Sequence, residues 1–174
     1  MIDIKNAKKI VIIGVPGSGK SFLADKLGRV LEITPLHMDI EFENIVGKGA
    51  SKERTKIITD RVDEVTRGEK WIIEGGFVYH TEPLELRIKR ADLVICLDFD
   101  LQFCIESIRE RGTDNFGGWN AFKSQSDIND FIVMLTEKFD EGTKKLESAI
   151  EKHGEGKTLR LYNREQVNSL IEGL

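Results

Sequence analysis

Short apolar runs alternate with segments of helical periodicity along most of this chain. The first run, Ile10-Val11-Ile12-Ile13, has the length of a strand, and Leu23, Leu27, Val30 and Leu31 then recur at helical spacing. Four further strands are predicted at 34–39, 71–74, 93–98 and 158–162. Strands separated by helices predict an α/β fold of three layers, with a parallel sheet covered by helices on both faces.

The segments between the strands carry the start and stop signals of helices. Ser51 opens a helix that Gly68 ends, and residues 128–150 have the apolar face of one long helix. Asn163 and Gln166 form a plausible capping box for the closing helix. The helices and strands therefore alternate up to the end of the sequence.

A glycine-rich stretch joins the first strand to the first helix. It reads Gly14-Val15-Pro16-Gly17-Ser18-Gly19-Lys20-Ser21 and fits the pattern G-x-x-x-x-G-K-[ST]. Glycines let backbone N–H groups curl around phosphate oxygens, and the following helix presents its positive end to the anion. We expect Lys20 to reach the β- and γ-phosphates and Ser21 to ligate Mg²⁺. Strand, turn and helix together predict a P-loop that binds Mg·ATP.

Acidic residues follow the strands at the edge where ligands bind in such folds. Glu74 ends one strand and Asp98 the next, so either can be the acid on the magnesium side. Gly75 and Gly76 favour Glu74, because they let backbone approach a phosphate or an acceptor closely. Asp39 is either a general base or Mg²⁺-water ligand for an acceptor hydroxyl, or a strand-end carboxylate satisfied by backbone amides.

Further candidates concern the acceptor and the transferred phosphoryl group. His37 shares a predicted strand face with Asp39, and it either orients the acceptor or is a structural histidine. Arg87 is a candidate for gripping the acceptor or its phosphate. Arg109 and Arg111 end a helix before a glycine-bearing loop, so either can stabilise the charge that develops during transfer. Arginines at a helix C-terminus are also ordinary partners of the helix dipole.

Composition limits the remaining classes of function. The chain has 174 residues, of which 40% are hydrophobic and 32% charged, as expected for one globular domain. Its formal net charge of −4 argues against a nucleic-acid surface, which needs a basic stripe. No apolar run approaches the roughly 20 residues of a membrane span, and no signal-peptide pattern is present. Cys96 and Cys104 fit reduced core residues, so we expect a cytoplasmic protein.

Several of these motifs resemble the adenylate-kinase-like P-loop kinases. The motifs are the P-loop, Leu36-His37-Met38-Asp39, Trp71-Ile72-Ile73-Glu74-Gly75-Gly76 and Leu97-Asp98-Phe99. Within these kinases the chain is most similar to the FlaR-related group of DNA topology modulation proteins. In that group an arginine corresponds to Arg87, and a final turn corresponds to Asn163-Arg164, which implies that Arg164 contacts the nucleotide.

The resemblance implies a nucleoside-monophosphate-kinase fold with strand order 2-3-1-4-5. It further implies a single domain over 1–174, an acceptor flap around 40–68 and a lid around 112–125. Phe116, Trp119 and Phe122 would either cover the substrate or anchor the lid.

The expected function is transfer of the γ-phosphoryl of Mg·ATP to a nucleotide or to a small hydroxyl metabolite. Residues 74–78 replace the D-G-[FY]-P-R of adenylate kinases, so adenylate kinase activity is not expected. The alternatives are a nucleotide-dependent regulatory protein acting on DNA and a simple NTPase.

Overall fold

The computed structural model describes residues 4–45, 48–76, 78–113 and 122–174. Its strands are β1 (Lys9–Gly14), β2 (Pro35–His37), β3 (Trp71–Glu74), β4 (Leu93–Leu97) and β5 (Thr158–Leu161). Its helices are α1 (Lys20–Leu31), α2 (Met38–Glu41), α3 (Lys52–Thr66), α4 (Thr81–Arg90), α5 (Leu101–Arg111), α6 (Gln125–His153) and α7 (Arg164–Glu172).

The five strands form one parallel sheet in the order β2-β3-β1-β4-β5, which confirms the expected fold. Strands β3 and β4 flank β1 and are buried along their whole length, which explains their continuous apolar sequence. The register pairs Ile12 with Glu74, and Glu74 with His37. Gly14 pairs with Leu97 on the other side of β1. The ends of β1, β2 and β3 therefore meet at one edge of the sheet, beside the P-loop.

Each face of the sheet packs against its own group of helices. Ile10 and Ile12 of β1 share a core with α1, α5 and α7. Val11 and Ile13, one residue out of phase, share the opposite core with α3, α4 and α6. Alternate residues of a strand point to opposite faces, so one apolar run serves both cores. A third cluster joins Ile108 of α5 to Ile128 and its neighbours at the start of α6.

The main departure from the predicted elements lies after β2. That strand ends at His37, and Asp39 belongs to α2 rather than to the strand. The prediction that His37 and Asp39 share a strand face is therefore wrong. The chain stays helical as far as Glu41. The helical backbone begins at Met38, whose side chain is completely buried.

The helix caps and the two cysteines are the remaining features that the sequence bears on. Asn163 caps α7 as predicted, and Asp100 caps α5; each accepts a backbone N–H from three residues further on. Cys96 and Cys104 are free and buried, and burial raises the pKa of their thiols to about 12 and about 11. Such thiols are inert, as predicted for reduced core residues.

Most of the expected lid, including Phe116 and Trp119, lies outside the described residues. Phe122 is buried, with its ring centroid 5.1 Å from that of Phe131. No helix among the residues described is long and apolar enough to cross a membrane.

Candidate active site

The P-loop joins β1 to α1 through backbone that only glycine adopts easily. Gly17 has φ +85°, and a Cβ there would stand 2.4 Å from the carbonyl oxygen of Cys104 on α5. Gly19 has φ +90°, but a Cβ there would meet nothing within 4 Å. The loop is therefore pressed against the protein at Gly17 and open at Gly19. An anion can approach the backbone from the open side.

Helix α1 begins at the open side of the loop with its amides free of a side-chain cap. A helix N-terminus of this kind attracts phosphate through its N–H groups and its dipole. Lys20 is buried, and its ammonium donates to the Val15 carbonyl oxygen at 3.0 Å. The Ser18 hydroxyl is also buried and has no hydrogen-bond partner among the described residues. These groups fit the triphosphate of a nucleotide.

Glu74 meets Ser21 across the gap between β3 and α1. The Ser21 hydroxyl donates to Glu74 Oε1 at 3.1 Å. Glu74 is only 1% exposed, and its other oxygen, Oε2, has no hydrogen-bond partner among the described residues. A serine hydroxyl that donates to a carboxylate keeps its lone pairs for a metal, and a free carboxylate oxygen can accept from a metal-bound water. The two residues therefore fit Mg²⁺.

The described residues hold no cluster of three or more His, Cys, Asp or Glu side chains arranged to bind a metal on their own. Mg²⁺ uses few protein ligands and shares phosphate and water oxygens, so the Ser21–Glu74 pair can serve it. The alternative acid, Asp98, stands 3.5 Å from Arg160, which also makes two 2.6 Å hydrogen bonds to Glu147. The structure thus brings Glu74 to Ser21 and Asp98 to Arg160.

His37 links Glu74 to a residue that the sequence did not suggest. Its Nδ1 lies 2.9 Å from Glu74 Oε1, and its Nε2 lies 3.1 Å from Oδ1 of Asp25. The hydrogen bond to Glu74 raises the pKa of His37 against the opposing effect of burial, and the charge of Asp25 adds to the increase. Asp25 follows Ser21 by four residues on α1, and this spacing was the one available signal.

Asp39 is half-buried on α2, within electrostatic reach of several charges. Burial raises the pKa of its carboxyl group, and the charge of Lys20 opposes the increase most strongly. Glu74 raises this pKa further, whereas Arg87 and Arg111 lower it. The structure therefore gathers Asp39, Lys20 and Glu74 into one electrostatic group.

Arg87 lies in the interior, with no exposed surface. Its guanidinium donates to the carbonyl oxygens of Gly75 and Gly76 at 2.9 and 2.6 Å, and it also contacts the Met38 sulfur. Burial lowers the pKa of Arg87 to about 10, while the charges of Glu74 and Asp39 act in the opposite direction. In this arrangement the arginine holds the backbone that follows β3.

The other predicted arginines lie at the end of α5 and the start of α7. Arg111 is half-buried above the Phe122 ring, and burial lowers its pKa while Asp39 raises it. Arg109 is exposed. Arg164 lies over the Phe103 ring, 5.0 Å from its centroid, and 3.6 Å from a carboxylate oxygen of Glu110. Of the two candidate lid arginines, Arg111 is the one that interacts with Asp39.

Comparison with known proteins adds one partial sequence match. No family model matches the chain. A curated shikimate kinase from Mycobacterium ulcerans (strain Agy99) is 31% identical over 80 residues, which is 46% of this chain and 42% of the relative. The match thus spans less than half the length of that relative.

Solved structures resemble the chain over almost its whole length. The shikimate kinase of Bacteroides thetaiotaomicron has a TM-score of 0.59 and 17% identity, covering 96% of this chain and 95% of that one. The enzyme of Acinetobacter baumannii in complex with shikimate gives 0.57 and 16%, with coverages of 98% and 92%. The enzyme of Aquifex aeolicus gives 0.56 and 18%, with 94% of each chain covered. This chain therefore has the α/β P-loop fold that these shikimate kinases share.

Proposed function

We propose that this protein is a P-loop kinase that transfers the γ-phosphoryl group of Mg·ATP to a hydroxyl group of a small metabolite. The observation that carries the proposal is the meeting of Lys20, the Ser21–Glu74 pair and Asp39 beside the open P-loop. The partial identity to a shikimate kinase favours a hydroxyl metabolite over a nucleotide as the acceptor.

The donor half of the reaction belongs to the P-loop and its neighbours. Backbone amides of residues 14–21 would bind the phosphates, and Arg164 would contact the nucleotide. Ser21 and Glu74 would hold Mg²⁺, which when bound neutralises charge on the phosphate oxygens. Lys20 would leave the Val15 carbonyl and place its ammonium against the β- and γ-phosphates.

The acceptor half centres on Asp39. Because burial raises its pKa, the Asp39 carboxylate is a stronger base than an exposed aspartate and can accept the proton of an acceptor hydroxyl. Arg111, or Arg109 as the alternative, would stabilise the charge on the transferred group. The roles of His37, Gly75 and Arg87 in acceptor binding stay predictions, and Arg87 would act mainly through the backbone that it holds.

The proposal also covers the family, the location and the domain layout of the protein. We place the chain with the FlaR-related kinases, as a single cytoplasmic domain with a flap around 40–68 and a lid around 112–125. Direct DNA binding is not expected, since the net charge is −4 and Arg87 is buried where no DNA phosphate can reach it.

The decisive experiment is a phosphate-transfer screen. Purified protein is incubated with Mg·ATP and a panel of hydroxy acids, sugars and nucleoside monophosphates, and ADP formation is followed with each acceptor. We expect one group of hydroxyl metabolites to accelerate ADP formation. Absence of ATP binding, or hydrolysis that no acceptor changes, would contradict the proposal, and the second result would favour a simple NTPase.

Two variants connect any activity to this site. Lys20→Ala should lose transfer while keeping its fold. Asp39→Asn should keep ATP affinity but lose transfer by on the order of 10²–10⁴-fold, the range of a general base. The matched control is Asp140→Asn, which changes an exposed acid on α6, away from the P-loop and from the proposed flap and lid. This control should behave as the wild type.

A further inference from the structure

We infer that His37 and Asp25 are positioning residues that hold Glu74 in the orientation needed for the magnesium site. The inference rests on the proposed kinase function and adds two residues to its donor half. Glu74 Oε1 accepts hydrogen bonds from the Ser21 hydroxyl and from His37 Nδ1. Oε2 is left buried and without a hydrogen-bond partner among the described residues.

The two contacts decide which carboxylate oxygen remains free. The last torsion of a glutamate is broad, so a single hydrogen bond from Ser21 would let the carboxylate rotate about it. The second contact, from His37 at 2.9 Å, comes from the neighbouring strand and limits this rotation. Oε2 then keeps one direction, which is what an acid needs to hold a metal-bound water.

Asp25 completes a closed ring of contacts. It holds His37 Nε2 at 3.1 Å and so fixes the plane of the imidazole. The ring runs from Ser21 on α1 through Glu74 on β3 and His37 on β2 back to Asp25 on α1. His37 and Glu74 are register partners, and Ser21 and Asp25 lie one helical turn apart. Three regular elements therefore fix the carboxylate, which gives it a precise position.

Because Asp25 is partly exposed, its positioning role can be tested apart from any effect on the stability of the fold. Its side chain is 38% exposed, and a pair with such a partner contributes little to folding. Its removal should therefore leave the fold unchanged while loosening His37. If the only role of the ring were to stabilise the fold, its variants would lower the thermal midpoint without a selective effect on Mg²⁺.

The test measures ATP affinity in EDTA, the apparent Mg²⁺ affinity of the protein·ATP complex, and the thermal midpoint without ligand. His37→Gln can reach toward Asp25 from the Nε2 position but gives up the Nδ1 contact with Glu74. His37→Asn places an amide near the Nδ1 position, where it can still donate to Glu74. The two variants differ by one methylene group, so comparing them distinguishes the effect of the contact with Glu74 from that of the contact with Asp25.

We expect His37→Gln to weaken the apparent Mg²⁺ affinity on the order of ten-fold, with ATP affinity in EDTA unchanged. His37→Asn and Asp25→Ala should each weaken it less, and the double variant no more than either alone, because both break the same contact. The control is His153→Asn, whose histidine lies 3.4 Å from Glu85 and outside the ring. It should match the wild type.

Two results would overturn the inference. One is an unchanged Mg²⁺ affinity in both His37→Gln and Asp25→Ala. The other is a loss of ATP affinity in EDTA that equals the loss with Mg²⁺, which would show a general structural role. In either case the proposed function stands if the wild type binds Mg·ATP. If the wild type binds no ATP, or binds it independently of Mg²⁺, the inference falls together with the proposed function.

Discussion

Replacing Arg87 with methionine tests whether this buried arginine is chiefly structural. Methionine keeps the unbranched apolar stem but removes the guanidinium that donates to Gly75 and Gly76. The Glu74 and Asp39 carboxylates, which interact with this charge, would lose their buried counter-charge. We expect a large loss of stability.

The size of the loss follows from the contacts. Each hydrogen bond from a charged donor contributes about 1.5–3 kcal/mol, and two are removed. Breaking a buried ionic group by deleting one partner costs about 3–5 kcal/mol, and this figure already includes such hydrogen bonds. We therefore expect the free energy of unfolding to fall by about 3–5 kcal/mol, out of roughly 5–15 kcal/mol for a domain. For a chain of this length that is a decrease in thermal midpoint of about 6–20 °C.

Urea unfolding followed by far-UV circular dichroism measures this change. The control is Arg67→Met, since the Arg67 side chain is exposed and pairs with Asp63 at 2.6 Å on the surface. It should cost about 1 kcal/mol or less. A loss below about 1 kcal/mol for Arg87→Met, combined with a raised KM for an acceptor, would refute the structural reasoning. It would make Arg87 an acceptor-binding residue instead.

Four further substitutions test the P-loop, the pH dependence of stability and the end of α4. In urea unfolding, Gly17→Ala should lower the free energy of unfolding by about 2–5 kcal/mol and Gly19→Ala by about 1–2 kcal/mol. Both substitutions strain the backbone, but only the Cβ at position 17 meets a carbonyl oxygen. Equal losses in the two variants would contradict the role of this close contact. Burial lowers the pKa of His80, so this histidine binds a proton more readily in the unfolded state than in the folded state. The protein should therefore have its full stability above about pH 6.5 and lose stability as the pH falls below that value. His80→Gln should therefore lose less stability than the wild type between about pH 7 and 5, and parallel curves would refute the assignment. Lys157→Met should cost about 1–3 kcal/mol in the same unfolding assay, since the ammonium donates at 2.9–3.0 Å to three carbonyl oxygens at the end of α4, and a loss below about 0.5 kcal/mol would contradict this.

The donor half of the site was predictable because its information is local. Eight consecutive residues specify the P-loop, and the strand and helix around it follow from the apolar pattern. Glu74 was predictable as one of two acids at strand ends. The sequence favoured Glu74 over Asp98 through Gly75 and Gly76, but it could not show the contact between Glu74 and Ser21, because that contact depends on how α1 packs against β3.

The contacts of His37 were not predictable from the sequence for a related reason. They require the pairing of β2 with β3 in one register and a carboxylate on α1 at the same height. Neither the register nor the height is encoded near His37 in the chain. The spacing of Ser21 and Asp25 also occurs by chance on many helices, so it carried no weight until the strand order was known.

The P-loop residues and the candidate acceptor residues therefore differ in how readily they can be substituted. The P-loop depends on contiguous residues and on backbone conformation, so few substitutions preserve it. The candidate acceptor residues Asp39, Arg87 and Arg111 come from α2, α4 and the end of α5, elements that are far apart in the chain. Asp39 and Arg111 can change while the sheet and the loop stay the same, whereas Arg87 also holds the backbone after β3. A common fold at 16–18% identity to shikimate kinases therefore leaves the candidate acceptor residues of this chain free to differ from theirs.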